Sequence, residues 1–194
     1  RARLVGSEMC IRDSIKANAL IEVDITRGNL NPLPLAVSPL SIDEESRKGF
    51  EKILKKENIG SEISNIVENN LRTSGLFNPL DKKAFLQAPD IANLKPRFED
   101  WNLIKAQALI TGKVNYVDDK LRVEFRLWDV LAAKEMMALA FTTVPNNWRR
   151  VGHIISDKVY ERLTGEKGYF DTRIIYVSEE GPKTQRIKKL AIMD

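Results

Sequence analysis

His153 is the one histidine of the chain, and Ser156 and Asp157 follow it within a turn of helix. Serine, histidine and aspartate are the residue types of nucleophilic acyl transfer, where imidazole takes the serine proton and a carboxylate orients the ring. Placed on a single turn, the three cannot converge on one substrate carbonyl, and nothing nearby offers an oxyanion hole. The structural reading is therefore preferred: His153 sits near a domain junction with a ring nitrogen bonded to backbone. The alternative is a small α+β enzyme, a hydrolase or transferase using His153 or Asp157. It would need a concave site with converging polar groups, and none is expected around His153.

Other reactive residue types lead nowhere catalytic. Cys10 is the single cysteine and has no neighbouring His or Cys to complete a metal or nucleophile set. The paired acids Asp118–Asp119 and Asp43–Glu44–Glu45 read as a turn and a solvated helix face. No Walker, Rossmann, zinc or EF-hand spacing occurs, so no cofactor and no metal are expected. Arg149, Arg150, Lys158, Arg162 and Lys167 are interleaved with Asp157, Glu161 and Glu166, without a basic-aromatic ladder. That pattern does not make a nucleic-acid face. The arginines at the helix start are instead expected to bridge to a neighbouring domain.

The element that carries His153 is a long amphipathic helix. Trp148, Val151, Ile155, Val159 and Leu163 recur at the spacing of one apolar stripe. Asn146 or Asn147 is expected to cap its start, and Gly165 and Gly168 flank its exit. A fresh strand then begins at Arg173–Val177, which marks a domain junction. Hydrophobic residues make up 43% of the chain and charged ones 30%, with a formal net charge of +4, the composition of an ordinary globular domain. No apolar run of about 18 residues is present, so no membrane insertion is expected.

Earlier in the chain, Leu35–Leu40 reads as a short buried strand, and residues 41–58 as a charged insertion with a short helix around Phe50, Ile53 and Leu54. Residues 59–74 form a clear helix with Ile59, Ile63, Ile66, Val67 and Leu71 on one face and Gly75 as its stop. Residues 82–95 read as irregular, with a short helix after Pro96. Ala108–Val117, Leu121–Val130 and Lys134–Val144 then form an antiparallel meander, because their links are too short for crossovers. In the middle strand Leu121, Val123, Phe125 and Leu127 face in, while Arg122, Glu124, Arg126 and Trp128 face out. The fold class is α+β: an antiparallel-rich mixed sheet covered by two amphipathic helices and closed by about residue 168.

Residues 1–14 fit poorly with the rest of the chain and are read as a foreign leader or mispredicted start, or else as a disordered native tail. Ala17–Asn18–Ala19 has the small-x-small form that ends a secretory signal peptide, with maturation near Leu20. Leu20–Thr26 alternates apolar and polar residues, as an edge strand on its own domain or a partner-seeking strand would.

Two sets of residues carry a family resemblance. The first is Arg149–Arg150–Val151–Gly152–His153, Ser156–Asp157, Leu163–Thr164–Gly165–Glu166–Lys167–Gly168 and Thr172–Arg173–Ile174–Ile175–Tyr176–Val177. The second is Leu71, Arg72, Ser74, Gly75, Phe77, Asn78, Pro79, Leu80 and Asp81. Together they resemble the TolB family of periplasmic Tol–Pal proteins. The resemblance implies a remnant at residues 1–19, an N-terminal α+β domain over 20–168, and the first strands of a truncated β-propeller over 169–194. It implies a non-catalytic, monomeric protein of the periplasm that links inner-membrane TolA to outer-membrane Pal. Such proteins serve envelope integrity and outer-membrane constriction at cell division, and elsewhere in the family the import of toxins. Carried over by position, Ile21, Glu22, Val23, Asp24, Ile25 and Thr26 would bind TolA, Pal would dock on the propeller, and Arg149, Arg150, His153, Asp157 and Arg173 would form the domain junction.

Overall fold

A computed structural model describes residues 31–182 and 184–193. In chain order it runs β1 (Leu33–Val37), β2 (Ser41–Ile42), α1 (Glu44–Leu54), α2 (Ile59–Thr73), β3 (Phe77–Pro79), α3 (Pro89–Leu94), α4 (Phe98–Leu103), β4 (Ala108–Val117), β5 (Lys120–Asp129), β6 (Lys134–Thr143), α5 (Trp148–Thr164), β7 (Ile174–Glu180) and β8 (Ile187–Met193). The main sheet has the order β3-β1-β4-β5-β6, with β2 also pairing β4.

Link length decides strand direction. Asp118 and Asp119 take positive φ values of 50° and 57°, giving the two-residue turn whose twist suits a hairpin, so β4 and β5 are antiparallel. β6 adds antiparallel to β5 with a bulge between Leu127 and Trp128. β1 returns through two helices before β3 pairs with it, and that connection makes the pair parallel. β4 then pairs parallel on the other side of β1.

The core lies between the sheet and the pair α2 and α5. Ile59, Ile63, Val67 and Leu71 from α2 and Val151, Ile155, Val159 and Leu163 from α5 are buried over Leu121, Val123, Phe125 and Leu127. Each such side chain stabilises the fold by about 1.5–3 kcal/mol when fully buried. The two helices cross closely at Gly152, where an added Cβ would stand 2.9 Å from Ile66 Cγ2. The mixed sheet under two amphipathic helices is the expected architecture.

Several local expectations are corrected. β1 begins at Leu33 and includes Pro34, whose carbonyl accepts from Gln107 N at 2.9 Å. Its absent N–H costs nothing, because Pro34 precedes the first β1 residue in register with β4, Leu35 opposite Ala108. Residues 82–95 are ordered: a 3₁₀ turn at Lys82–Ala84 is followed by α3, with Pro89 at its first turn. Buried Gln87 organises this stretch, accepting from Trp101 Nε1 and Arg97 N at 3.0 Å each and donating to Lys95 O at 2.9 Å.

Trp128 does not simply face solvent. Helices α3 and α4 cover part of the opposite sheet face, and a second core of Ala36, Ala92, Trp101, Ala106, Leu109 and Val130 forms there, with Trp128 packed against it. The Trp128 indole N–H donates to Thr111 Oγ1 at 2.9 Å and its ring meets Phe98 edge-on. The start of α5 also differs. A 3₁₀ turn, Pro145–Asn147, leads into it, and the Asn147 side chain donates to Thr143 Oγ1 instead of capping the helix.

Candidate functional site

Helix α5 holds most of the residues singled out by chemistry. Its C-terminus is set by Gly165 at φ 76°, a left-handed position natural to glycine, whose N–H bonds Glu161 O. The chain then folds back along the helix. The Asp157 carboxylate accepts the backbone N–H of Phe170 at 2.7 Å and of Asp171 at 3.1 Å. Arg150, about two turns earlier on α5, grips the Asp171 carboxylate with Nε and Nη2, both at 3.0 Å. This two-pronged pairing raises the Arg150 pKa further above its ordinary value. Gly168 is required here, because a Cβ would run into the Asp157 side chain. The packing therefore continues past residue 168 to Asp171.

Aromatic rings close the same corner. Tyr160 meets Phe77, Tyr169 and Phe170 edge-on, at centroid distances of 6.1, 5.6 and 5.8 Å. Burial raises the Tyr160 hydroxyl pKa, with Tyr169 and Glu166 adding to the effect. Arg149 lies over the Trp148 ring at 5.6 Å. Arg173 is exposed just before β7.

His153 faces α2, not the backbone. Asn70 Nδ2 donates to His153 Nδ1 at 2.9 Å and to Ser156 Oγ at 2.9 Å, while Ser156 Oγ donates to Gly152 O at 2.9 Å. Accepting at Nδ1 places the neutral ring's proton on Nε2, which is buried. The expected backbone bond is thus replaced by a side chain from the packed neighbour helix. The same contacts dismantle any relay: the histidine nitrogen, the serine proton and both aspartate oxygens each serve a different structural partner. Asn70 was missed because its partners are remote in sequence. A weak signal existed in an asparagine kept inside a helix, where its propensity is poor.

The structure brings Arg150 and Asp157 together through Asp171 and Phe170, leaves Arg173 outside that set, and places His153 on the α2 side. Ile21–Thr26 lie outside the described residues. Among the described residues, no group of three or more His, Cys, Asp or Glu is arranged to hold a metal ion, and no helix is long and apolar enough to cross a membrane.

Beyond Asp171, β7 and β8 form a separate two-stranded sheet. Ile174, Ile175, Tyr176, Val177, Leu190 and Ile192 are all exposed on it. Its charge ladder is cross-strand: Glu179 pairs with Arg186 at 2.6 Å and Lys188 at 3.1 Å, and these hold its carboxyl below the usual range.

Residues 21–136 match the family model described as the TolB amino-terminal domain. The chain is 86% identical over 180 residues to the Tol-Pal system protein TolB of Pelagibacter ubique (strain HTCC1062), across 93% of this chain and 40% of that relative. A crystal structure of TolB from Acinetobacter baumannii shares the fold with a TM-score of 0.65 at 23% identity, over 90% of this chain and 39% of that one. The chain therefore spans well under half the length of these relatives. With two helices on a mixed sheet, a family model matched across most of that sheet and a relative 86% identical over 180 residues, the chain belongs to the TolB family, a non-catalytic family of Tol–Pal system proteins.

Proposed function

We propose that the chain is the N-terminal part of a periplasmic adaptor that links inner-membrane TolA to outer-membrane Pal. In this reading the adaptor serves envelope integrity and outer-membrane constriction at cell division. The observation that supports it most directly is the exit of α5. Asp157, Arg150 and Asp171 fix the chain as it leaves a finished core, and the next element is a hairpin with apolar side chains on both faces. Two strands alone are marginal in water, so β7 and β8 are the opening strands of a β-propeller and residues 20–168 are the domain before it. Arg149, Arg150, His153, Asp157 and Arg173 then flank the joint between the two.

The two partners divide between the two ends. Ile21–Thr26 engage TolA by strand addition or release, with order in that segment traded against partner binding. Pal docks on the propeller. The test is a paired pull-down with this chain: TolA is retained, and Pal is captured only by a longer chain that includes the propeller. Deleting residues 15–29 removes TolA binding while the thermal midpoint stays nearly unchanged. Strong capture of Pal by residues 1–194 would overturn the assignment.

A further inference from the structure

We propose that the free edge of β6 is a docking site for an extended segment of a partner protein, with a carboxylate side chain seated beside Arg122 and Arg126. Strand pairing fixes which backbone groups are on offer. The Asp118–Asp119 turn makes Val117 and Lys120 the hydrogen-bonded closing pair, so Leu121, Val123, Phe125 and Leu127 direct their backbone groups at β6. They meet Thr143, Phe141, Leu139 and Met137. The alternate residues Ala138, Ala140 and Thr142 therefore turn N–H and C=O away from the sheet.

The two edges of the sheet are managed differently. β3 is three residues long and ends in Pro79. β6 is ten residues long, and Met136–Thr143 contains neither a charge nor a proline. Among the described residues no strand pairs beyond it. Long uncharged edges invite strand addition, and proteins normally blunt them.

A second observation says what would bind. Ala138 and Ala140 floor a depression of about 250 Å³ walled by Arg122, Glu124, Arg126 and Asn93. Both guanidinium groups are near half-exposed, and their contacts with Glu124 and Glu135 are surface pairs that a better-placed carboxylate can displace, while Arg126 Nη1 stays fixed by donating to Asn93 O at 3.1 Å. An added strand would hang alternate side chains over this depression. A second copy of β6, paired antiparallel with Ala140 opposite Ala140, would present only the methyl groups of Ala138 and Ala140 and the Thr142 side chain there, leaving it unfilled. The geometry thus favours a different polypeptide with an acidic residue at that position.

The probe is a synthetic peptide of about seven residues, alternating valine and threonine with a central glutamate, and its twin with lysine in the centre. Hydrogen exchange is read on the 194-residue chain with about 1 mM peptide. The expected result is roughly tenfold or greater slowing at the amides of Ala138, Ala140 and Thr142 with the glutamate peptide, and little with the lysine one. Ala140→Pro removes an outward N–H without touching the β5 ladder, so it keeps the fold and loses the protection. Arg126→Glu reverses the preference between the two peptides. Protection that survives in Ala140→Pro, equal binding of both peptides, no protection with either, or concentration-dependent self-association through β6 would each overturn the proposal.

Discussion

Asp157 holds the Phe170 backbone: its Oδ1 accepts the Phe170 N–H at 2.7 Å across a stretch of chain that reverses direction after Gly165. Oδ2 does the same for Asp171 at 3.1 Å, so one carboxylate satisfies two consecutive donors. Asp157→Ala removes a charged acceptor from both, and hydrogen bonds to charged groups contribute about 1.5–3 kcal/mol each. Partial exposure of Asp171 lets water recover part of that. The expected loss is about 1–3 kcal/mol in urea unfolding, with Asp157→Asn losing less. An unchanged midpoint would mean that the aromatic packing of Phe170 alone holds the exit.

The α2–α5 crossing is set by Gly152. A side chain there pushes against Ile66, whose Cγ2 would lie 2.9 Å from the new Cβ. Gly152→Val therefore overpacks the interface and costs about 1–3 kcal/mol. Pairing it with Ile66→Ala recovers part of the loss in a double-mutant cycle. Simple additivity of the two would show that the helices are free to separate.

Acid weakens the start of α1. Asp43 accepts from Ser46 N at 2.8 Å, and that bond, assisted by Lys113 at 3.6 Å, outweighs burial and lowers its pKa below the ordinary carboxylate value. A depressed folded pKa means the contribution is complete above the unfolded value and fades as pH falls through the folded one. Asp43→Ala should thus cost about 1 kcal/mol at neutral pH, the usual worth of an N-cap. The gap between mutant and wild type closes at the acid end, as pH falls below the ordinary aspartate range and through the lowered folded pKa of Asp43. Denaturation curves at the two pH values measure it, and a gap that stays constant would assign the loss to packing.

Protection against exchange should fall into two classes. The amides of β4 and β5 sit inside the sheet, over Val123 and Phe125 at 1% exposure or less. Those of β7 and β8 have only each other, with Ile175 at 64% and Leu190 at 76% exposed. The hairpin should exchange through local opening, orders of magnitude faster than the core, whose opening needs global unfolding. Uniform protection across both would show that the hairpin belongs to the main cooperative unit.

What could be read in the chain was what repeats locally. The stripe Trp148, Val151, Ile155, Val159 and Leu163 is buried on α5 as its period demands, and the alternation in β5 places Leu121 to Leu127 in the core. Proline punctuation showed the short helix after Pro96, which is α4, but not α3; at six residues each, neither shows which face it buries, so the second core around Trp101 was invisible and Trp128 looked like a surface residue. At the candidate site, Asp157 and Arg150 were picked out on α5. Their partners Phe170 and Asp171 were not, because a side chain accepting from a returning backbone leaves no mark on residue type. The bridge from Asn70 to His153 joins two helices through a contact that only the finished packing creates.

β1, the first strand described, is laid between two strands made later: Leu33 is in register with Phe77 on one side and Val37 with Ile110 on the other. Synthesised from its N-terminus, the chain contains this apolar segment before either neighbour exists. Its first ladder waits for β3 and its second for β4, so the sheet cannot be laid down strand by strand from the start of the chain.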